Sequence, residues 1–383
     1  MYISDKKVAI IGGGPGGLTL GVLLQQGGAD VRIYERDRHR GVRVQGATLD
    51  LHEESGLEAL RRAGLLDAFY AHYRPEAGVL RLMDKTGTIR YDEREQESFT
   101  DDRPEIDRGP LRDILLDALD PERIVWDSHF LNMQRSGDGW MLHFRNGTSA
   151  CADLVIGADG ANSKVRPALT DIRPVYSGIT VVEGTIYNAG EQAPHLWDRT
   201  GGGKVFAFGD GQSLILSAKG DGSLSFYTGC RVEEHWVQNS GIDFGDRQQV
   251  FAWFREAFAG WHPLWHELFR GEEISIIQRP QYHFPTGQHW EPRGNLTLLG
   301  DAAHRMPPYA GEGVNQAMQD AYELAACLLD ETRAGTRDAI GTYEAGMLQR
   351  AAEITAVTLH STEMLHSGDP IRWMLDLFDG KAS

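Results

Sequence analysis

Residues Val8–Gly17 read VAIIGGGPGG, and the fold turns on this stretch. Val8, Ala9, Ile10 and Ile11 form a short apolar run of the kind that makes a strand covered on both faces. Gly12, Gly14 and Gly17 then satisfy the G-x-G-x-x-G spacing, with Pro15 among them. The next segment, LTLGVLLQQGG, is apolar at helical spacing and stops at Gly27-Gly28, after which DVRIYER alternates into a second strand. Strand, glycine turn, helix and strand make a βαβ unit. A helix N-terminus presents unpaired N–H groups and a partial positive charge, and glycines let a pyrophosphate approach without a Cβ in the way. Glu35 ends the second strand 23 positions after Gly12, near the place where an acid binds ribose hydroxyls in dinucleotide sites. The spacing predicts a dinucleotide site and leaves NAD and FAD both open.

The chain has 383 residues, room for two packed domains or one large elaborated one. Apolar residues make up 41%, enough for a sizeable core, and the formal net charge of −17 argues against nucleic acid or an anionic membrane as partner. Three scattered cysteines, Cys151, Cys230 and Cys327, form no CxxC pair and read as reduced thiols. No run reaches the roughly 18 apolar residues of a membrane span, and no signal peptide is evident, so a cytoplasmic protein is expected.

Outward from the first βαβ unit, EESGLEALRRAGLLDAFYAH reads as helix, GVLRLMDKTGTIRYD as two short strands, PLRDILLDAL as an amphipathic helix, and GWMLHFRNGTSACADLVIGAD as a hairpin running into a buried strand. From about 172 to 290, strands joined by Gly-Asp and Gly-Gln turns predict an antiparallel sheet, with AWFREAFAGWHPLWHELF as an intervening helix. After Asn315 the chain reads as helical. The expected layout is a nucleotide-binding domain over 1–171, with a short β insertion near 73–108, a β-sheet substrate domain over 172–290, the rest of the first domain over 291–350, and bridging helices over 351–383.

The second informative stretch is GDAAHRMPPYAGEGVN, Gly300–Asn315, which follows the buried-looking Leu296-Thr297-Leu298-Leu299. An ordinary turn needs polarity but not so many small residues after a buried strand. Together with DLVIGADGANSKVR, from Asp153, and the glycine fingerprint, it gives three signatures in order. On these, and on ERDRHRGVRVQGATLDLH and LRDILLDAL, the chain resembles the single-component FAD-dependent aromatic monooxygenases of the para-hydroxybenzoate hydroxylase type. Within them it is most similar to the tetracycline-inactivating monooxygenases. The likeness is dense over 1–170 and 295–320 and thin over 172–290.

The resemblance implies an α/β fold: a Rossmann-like FAD-binding domain, an inserted antiparallel sheet and a C-terminal bridging helix. It implies tightly held FAD, with Gly12, Gly14, Gly17, Glu35, Arg36, Asp50, Arg112, Asp159, Asp301, Pro308, Gly311, Gly313, Val314 and Asn315 as cofactor-binding positions. The small residues after Leu299 would let the loop pass close to the flavin ring, with Asp301 on the ribityl chain and helix N-terminal amides at the pyrimidine edge. Arg43 matches an arginine assigned to NADPH, which would bind transiently because the sequence carries a single glycine fingerprint. NADPH, O2 and a small aromatic or polycyclic substrate are the implied partners of a monomer. The implied reaction is hydroxylation through a flavin hydroperoxide, so no side chain need be a nucleophile, and His304 and Arg305 stay outside the catalytic set.

Glu183 and Lys204 fall where the tetracycline-inactivating enzymes carry a glutamine and an arginine for the substrate. An ionised glutamate only accepts, and lysine lacks arginine's fork. Tyr309 and Met364 fall near the flavin face and the substrate pocket, with core packing an equal reading of Met364. Tetracyclines are thus the leading substrate expectation, and another aromatic or polyketide metabolite the alternative. A flavin halogenase would carry W-x-W-x-I-P, which Trp261, Trp265 and Trp290 do not form. A non-catalytic flavin-binding module ranks lower.

Overall fold

A computed structural model describes residues 3, 5–42, 48–95 and 103–381. The first apolar run is the strand Lys7–Ile11, and it sits at the centre of a parallel sheet. The spatial order is Leu296–Leu298, Leu154–Gly157, Lys7–Ile11, Asp30–Tyr34 and Ile124–Val125, every neighbouring pair parallel. The helix Pro15–Gln26 on one side and a three-stranded antiparallel sheet on the other bury Ile10, Val31, Leu154 and Ile156 completely, which is why the two central strands read as apolar runs. The hairpin expected around Asn146-Gly147 forms between Gly139–Phe144 and Ser149–Ala152, and Phe130–Ser136 extends it to three strands.

The second sheet has seven strands, ordered Ile274–His283, Val175–Ile186, Leu224–Arg231, Gln212–Ala218, Lys204–Gly209, Leu80–Asp84 and Ile89–Asp92. It is antiparallel except where Leu80–Asp84 runs parallel to Lys204–Gly209. The strands Leu80–Asp84 and Ile89–Asp92, from the segment expected as a β insertion near 73–108, form one edge of this seven-stranded sheet. One face, with Val182, Val205, Leu214 and Phe226, packs on Phe254, Trp265 and Phe269. Side chains alternate along a strand, so Glu183, Lys204, Phe206, Ser213 and Tyr227 lie on the other face.

Two stretches read as single helices are broken. The tryptophan-rich segment becomes the helix Arg247–Ala257 and then a 3-10 segment, Pro263–Phe269, because Gly260 and Pro263 interrupt it. Residues 53–70 divide into a π-turn at Glu53–Leu57 and short helices at Glu58–Ala63 and Leu66–Tyr70, the last two separated by Gly64 in the left-handed region.

The helix Thr336–Leu365 runs past both sheets, and the boundary expected at residue 350 falls inside it. Its first turns bind the parallel sheet: the Tyr343 hydroxyl donates to the Leu298 carbonyl and the Thr297 hydroxyl to Glu344. Beyond its far end His366 meets Ser213 of the second sheet. The helix Pro370–Phe378 then packs on Leu82 and Phe208. No described helix is long and apolar enough to cross a membrane.

Candidate active site

Three loops leave the carboxyl ends of adjacent strands of the parallel sheet, where ligands bind in open α/β folds. They begin at Gly12, Ala158 and Leu299. Gly12 has φ +113°, and a Cβ there would lie 2.3 Å from the Ala158 carbonyl oxygen. At Gly16 a Cβ would come within 2.7 Å of the Ala317 carbonyl oxygen, so the helices Pro15–Gln26 and Gly313–Leu329 cross in close contact. Nothing stands within 4 Å of the corresponding point on Gly14, whose open side lies at the start of the first helix. Backbone crowding on one side and free space on the other is what a phosphate cradle requires.

Glu35 is buried and its carboxylate accepts the Gly13 N–H at 2.7 Å and the Asp37 N–H at 2.9 Å. It thus shapes the glycine loop from the second strand. Arg36 is exposed beside it. Arg112 is buried in the helix Arg108–Asp117, and its guanidinium donates to the Arg40 carbonyl and to Asp37 at 3.1 Å. It lies over the Trp126 ring, on the Glu35 side of the cradle. Asp159 accepts N–H bonds from Lys164 and Val165 through Oδ2. Its Oδ1 is buried without a partner, and burial raises the carboxyl. Arg43 lies outside the described residues.

The loop after Leu299 is fixed from beneath. Gly300 N–H, His304 Nε2 and Arg350 converge on the fully buried Asp320 carboxylate at 2.8, 2.6 and 2.6 Å. Burial opposes both charges, but their mutual attraction prevails, so Asp320 is held below and His304 above its usual value. The Asp320 bond thus favours the charged form of His304 and gives it an anchoring role beneath the loop. From the other side Arg166 donates to the carbonyls of Ala302 and Ala303 and to Gln288, and stacks 3.4 Å over Phe284. Burial pulls that guanidinium down to about 10. Asp301, held between these anchors, is solvent-accessible, yet burial raises its carboxyl.

The same loop continues through Pro308–Ala310 to Gly311, at φ +71°, and into the helix beginning at Gly313. Asn315 is fully buried. Its amide donates to the Asp50 carbonyl at 2.9 Å and its oxygen accepts the His52 N–H at 3.0 Å, which brings the Asp50 segment against the start of this helix. Pro308 is exposed and Val314 half-buried on the same turn. Burial works against ionisation of Asp50, but the His52 bond and the nearby Lys204 charge outweigh it and hold the carboxyl below its usual value.

The sheet face stands over this loop. The Tyr309 hydroxyl lies 3.4 Å from both Ser213 Oγ and His366 Nε2, and Ser213 lies 3.1 Å from that nitrogen. His366 Nδ1 faces the Thr362 carbonyl at 2.8 Å and must donate to it, which leaves Nε2 as the acceptor. Burial pulls this imidazole down to about 4 and raises the Tyr309 phenol. His366 was missed in the sequence, where Met364 stood for this segment; Met364 is half-buried two residues away. A signal existed: Thr355, Thr358, Ser361 and Thr362 form a buried polar stripe at helical spacing that points to a polar neighbour.

Glu183 and Lys204 lie on this face, each already engaged. Glu183 is ion-paired to Arg279 of the neighbouring strand, and Lys204 to the buried Glu105. Burial disfavours the Lys204 charge, but Glu105 and Asp50 outweigh it and raise the ammonium. No cluster of metal-ligating side chains occurs among the described residues.

Residues 5–358 match the family model described as an FAD binding domain. The chain belongs to this family of flavin-dependent monooxygenases. Among its relatives, Monooxygenase asqM of Emericella nidulans is 30% identical over 373 residues, covering 84% of this chain and 83% of that protein. The 6-hydroxynicotinate 3-monooxygenase of Pseudomonas fluorescens is 27% identical over 381 residues, covering 96% and 94%. Among solved structures, the tetracycline destructase Tet(55) shares the fold with a TM-score of 0.78 over 100% of this chain and 96% of that one, at 19% identity. The residues present fit FAD: an open-sided glycine cradle, an unpartnered buried Asp159 oxygen and an accessible carboxyl at Asp301 lie at neighbouring strand ends of one sheet.

Proposed function

We propose that this flavoenzyme consumes NADPH and O2 to hydroxylate a polycyclic phenolic or enolic substrate, with tetracyclines the first candidates. The observation that carries the reading is the juxtaposition at Tyr309, where the cofactor loop touches a sheet face made of aromatic and hydroxyl side chains. Bound FAD would supply the chemistry, taking electrons from the reduced nicotinamide and passing one oxygen atom from O2 to the substrate.

The side chains then have binding and orienting roles. Gly12, Gly14 and Gly17 would admit the pyrophosphate to the helix N-terminus, with Glu35 and Arg36 on the adenosine side. Asp159, Asp301 and Asp50 would take hydroxyls and polar edges of the cofactor. The turn Pro308–Gly311 and the amides from Gly313 to Asn315 would face the ring, where a helix N-terminus stabilises negative charge. Tyr309 would seat the substrate against the sheet. Arg43 remains the proposed NADPH contact, and Arg112 supports the segment after Glu35.

Purified holoprotein supplied with NADPH and tetracycline tests the reading: NADPH oxidation and loss of the tetracycline chromophore are expected together. A smaller aromatic or polyketide metabolite is the second reading, favoured by one observation. Glu183 and Lys204 are closed into ion pairs and do not present the paired donors of the tetracycline-inactivating enzymes. Turnover of such a substrate with no loss of tetracycline would select it.

A further inference from the structure

The cleft-facing side of the second sheet carries several charges, and its two strand cations, Arg279 and Lys204, are paired with carboxylates. Arg279 pairs with Glu183 on the adjacent strand. Lys204 pairs with Glu105, and Asp50, opposite Glu105 in the short two-stranded pairing, adds a second carboxylate near the same ammonium. Arg231 donates to the carbonyls of His366 and Glu363 at the end of the long helix. Arg305 donates to the Pro280 carbonyl and lies over the Tyr282 ring, with Asp301 as its nearest carboxylate influence.

Neutral polar groups lie beside them. Ser213, Tyr309 and His366 form one network, whose imidazole has its tautomer fixed by the Thr362 carbonyl. Ser217 is bonded to Thr48 at 3.1 Å. Phe206, Ile215 and Tyr227 sit half-buried among them.

A carboxylate entering such a cleft must shed its water, and among the described residues the two cations set within the strands, Lys204 and Arg279, already hold carboxylates. It would also meet the carboxylates already present at Glu183, Glu105 and Asp50. Burying an anion without a partner is among the most unfavourable events in recognition, whereas an aromatic ring with hydroxyl or carbonyl groups loses little and finds hydroxyl partners. Resting on the reading of this cleft as the substrate site, we propose that the sheet face selects an uncharged hydroxylated or carbonyl-bearing ring system and rejects a carboxylated one. Internal ion pairing, in place of an apolar surface, is the device that sets this preference.

The test uses the FAD-loaded protein without NADPH, so that binding is read separately from turnover. Naphthol and hydroxynaphthoate, alike but for the carboxylate, are titrated while the flavin absorbance is followed. Naphthol is expected to bind at least about tenfold more tightly. Glu183→Gln releases Arg279 and Glu105→Gln releases Lys204, and either change is expected to tighten hydroxynaphthoate binding by about tenfold and narrow the preference. Two variants on separate strands keep the test open if one fails to fold. Equal or tighter hydroxynaphthoate binding to the unaltered protein overturns the inference, as does a preference unchanged in both variants. Neither result touches the monooxygenase reading, which fails instead if the FAD-loaded protein consumes no NADPH with any aromatic ligand.

Discussion

Asp320→Asn addresses the anchor beneath the flavin loop. The native carboxylate is fully buried and takes three donors, Gly300 N–H at 2.8 Å and His304 and Arg350 at 2.6 Å each. An asparagine keeps the shape but leaves two cations facing an amide, one of whose positions is itself a donor. Removing one partner of a buried, hydrogen-bonded charge cluster costs about 3–5 kcal/mol. The pH dependence gives the sharper signature. His304 is raised in the folded protein, so its contribution is complete below its unfolded value of about 6.5 and disappears as pH rises through the folded value. Asp320 is held low, so its own contribution is present above its unfolded value of about 3.9. The variant should therefore be most destabilised between the two unfolded values, where both native charges are formed, and the gap should narrow as pH rises through the raised folded value of His304. Urea unfolding followed by tryptophan fluorescence across this range measures it, with FAD retention as a second readout. A loss under about 1 kcal/mol, or one constant with pH, would refute the assignment of His304 as a buried cation.

Gly12→Ala should abolish FAD uptake, because the new Cβ would sit 2.3 Å from the Ala158 carbonyl oxygen at φ +113°; yellow colour and flavin stoichiometry of the purified variant report it. Arg166→Met leaves the Ala302 and Ala303 carbonyls without their donor and should cost about 2–4 kcal/mol, with weaker FAD binding in a fluorescence titration. The His366 imidazole should remain neutral with its proton on Nδ1 at pH ~5.5, since burial holds it near 4; a nitrogen-resolved NMR titration that finds it protonated there would contradict the bond to Thr362.

The parallel sheet was legible because its central strands are apolar and its first turn must be glycine. At Gly12 and Gly16 any larger residue meets backbone, so geometry constrains residue type and a short motif carries the meaning. The second sheet was legible as strands but not as a site. Its face alternates with the buried one, and nothing local marks that Glu183 meets Arg279 or that Lys204 meets Glu105, 99 positions away. Those partners are set by register and by the approach of two sheets. The same holds for Leu80–Asp84, whose parallel pairing with Lys204–Gly209 joins segments more than a hundred residues apart. Long-range pairing leaves no periodic trace. Asp320 and Arg350 were silent for a related reason: each sits on an ordinary-looking helix, and only packing reveals three donors on one carboxylate.

The long helix ties the Gly300–Asn315 loop to the second sheet. Along Thr336–Leu365, a span of about 45 Å, successive turns hold the Leu298 carbonyl through Tyr343 and the Asp320 carboxylate through Arg350. Just past its end, His366 holds Ser213 of the sheet. The flavin loop and the sheet are thus tied to one rigid element, and their separation does not depend on what lies between them. Substitution of Glu183, Lys204 or Arg279 leaves these ties untouched, since none of them passes through those side chains. If the ion pairs set ligand preference as proposed, Glu183→Gln should alter it while the protein stays yellow, whereas Glu105→Gln also reaches Asp50 through Lys204 and should be read for flavin content alongside.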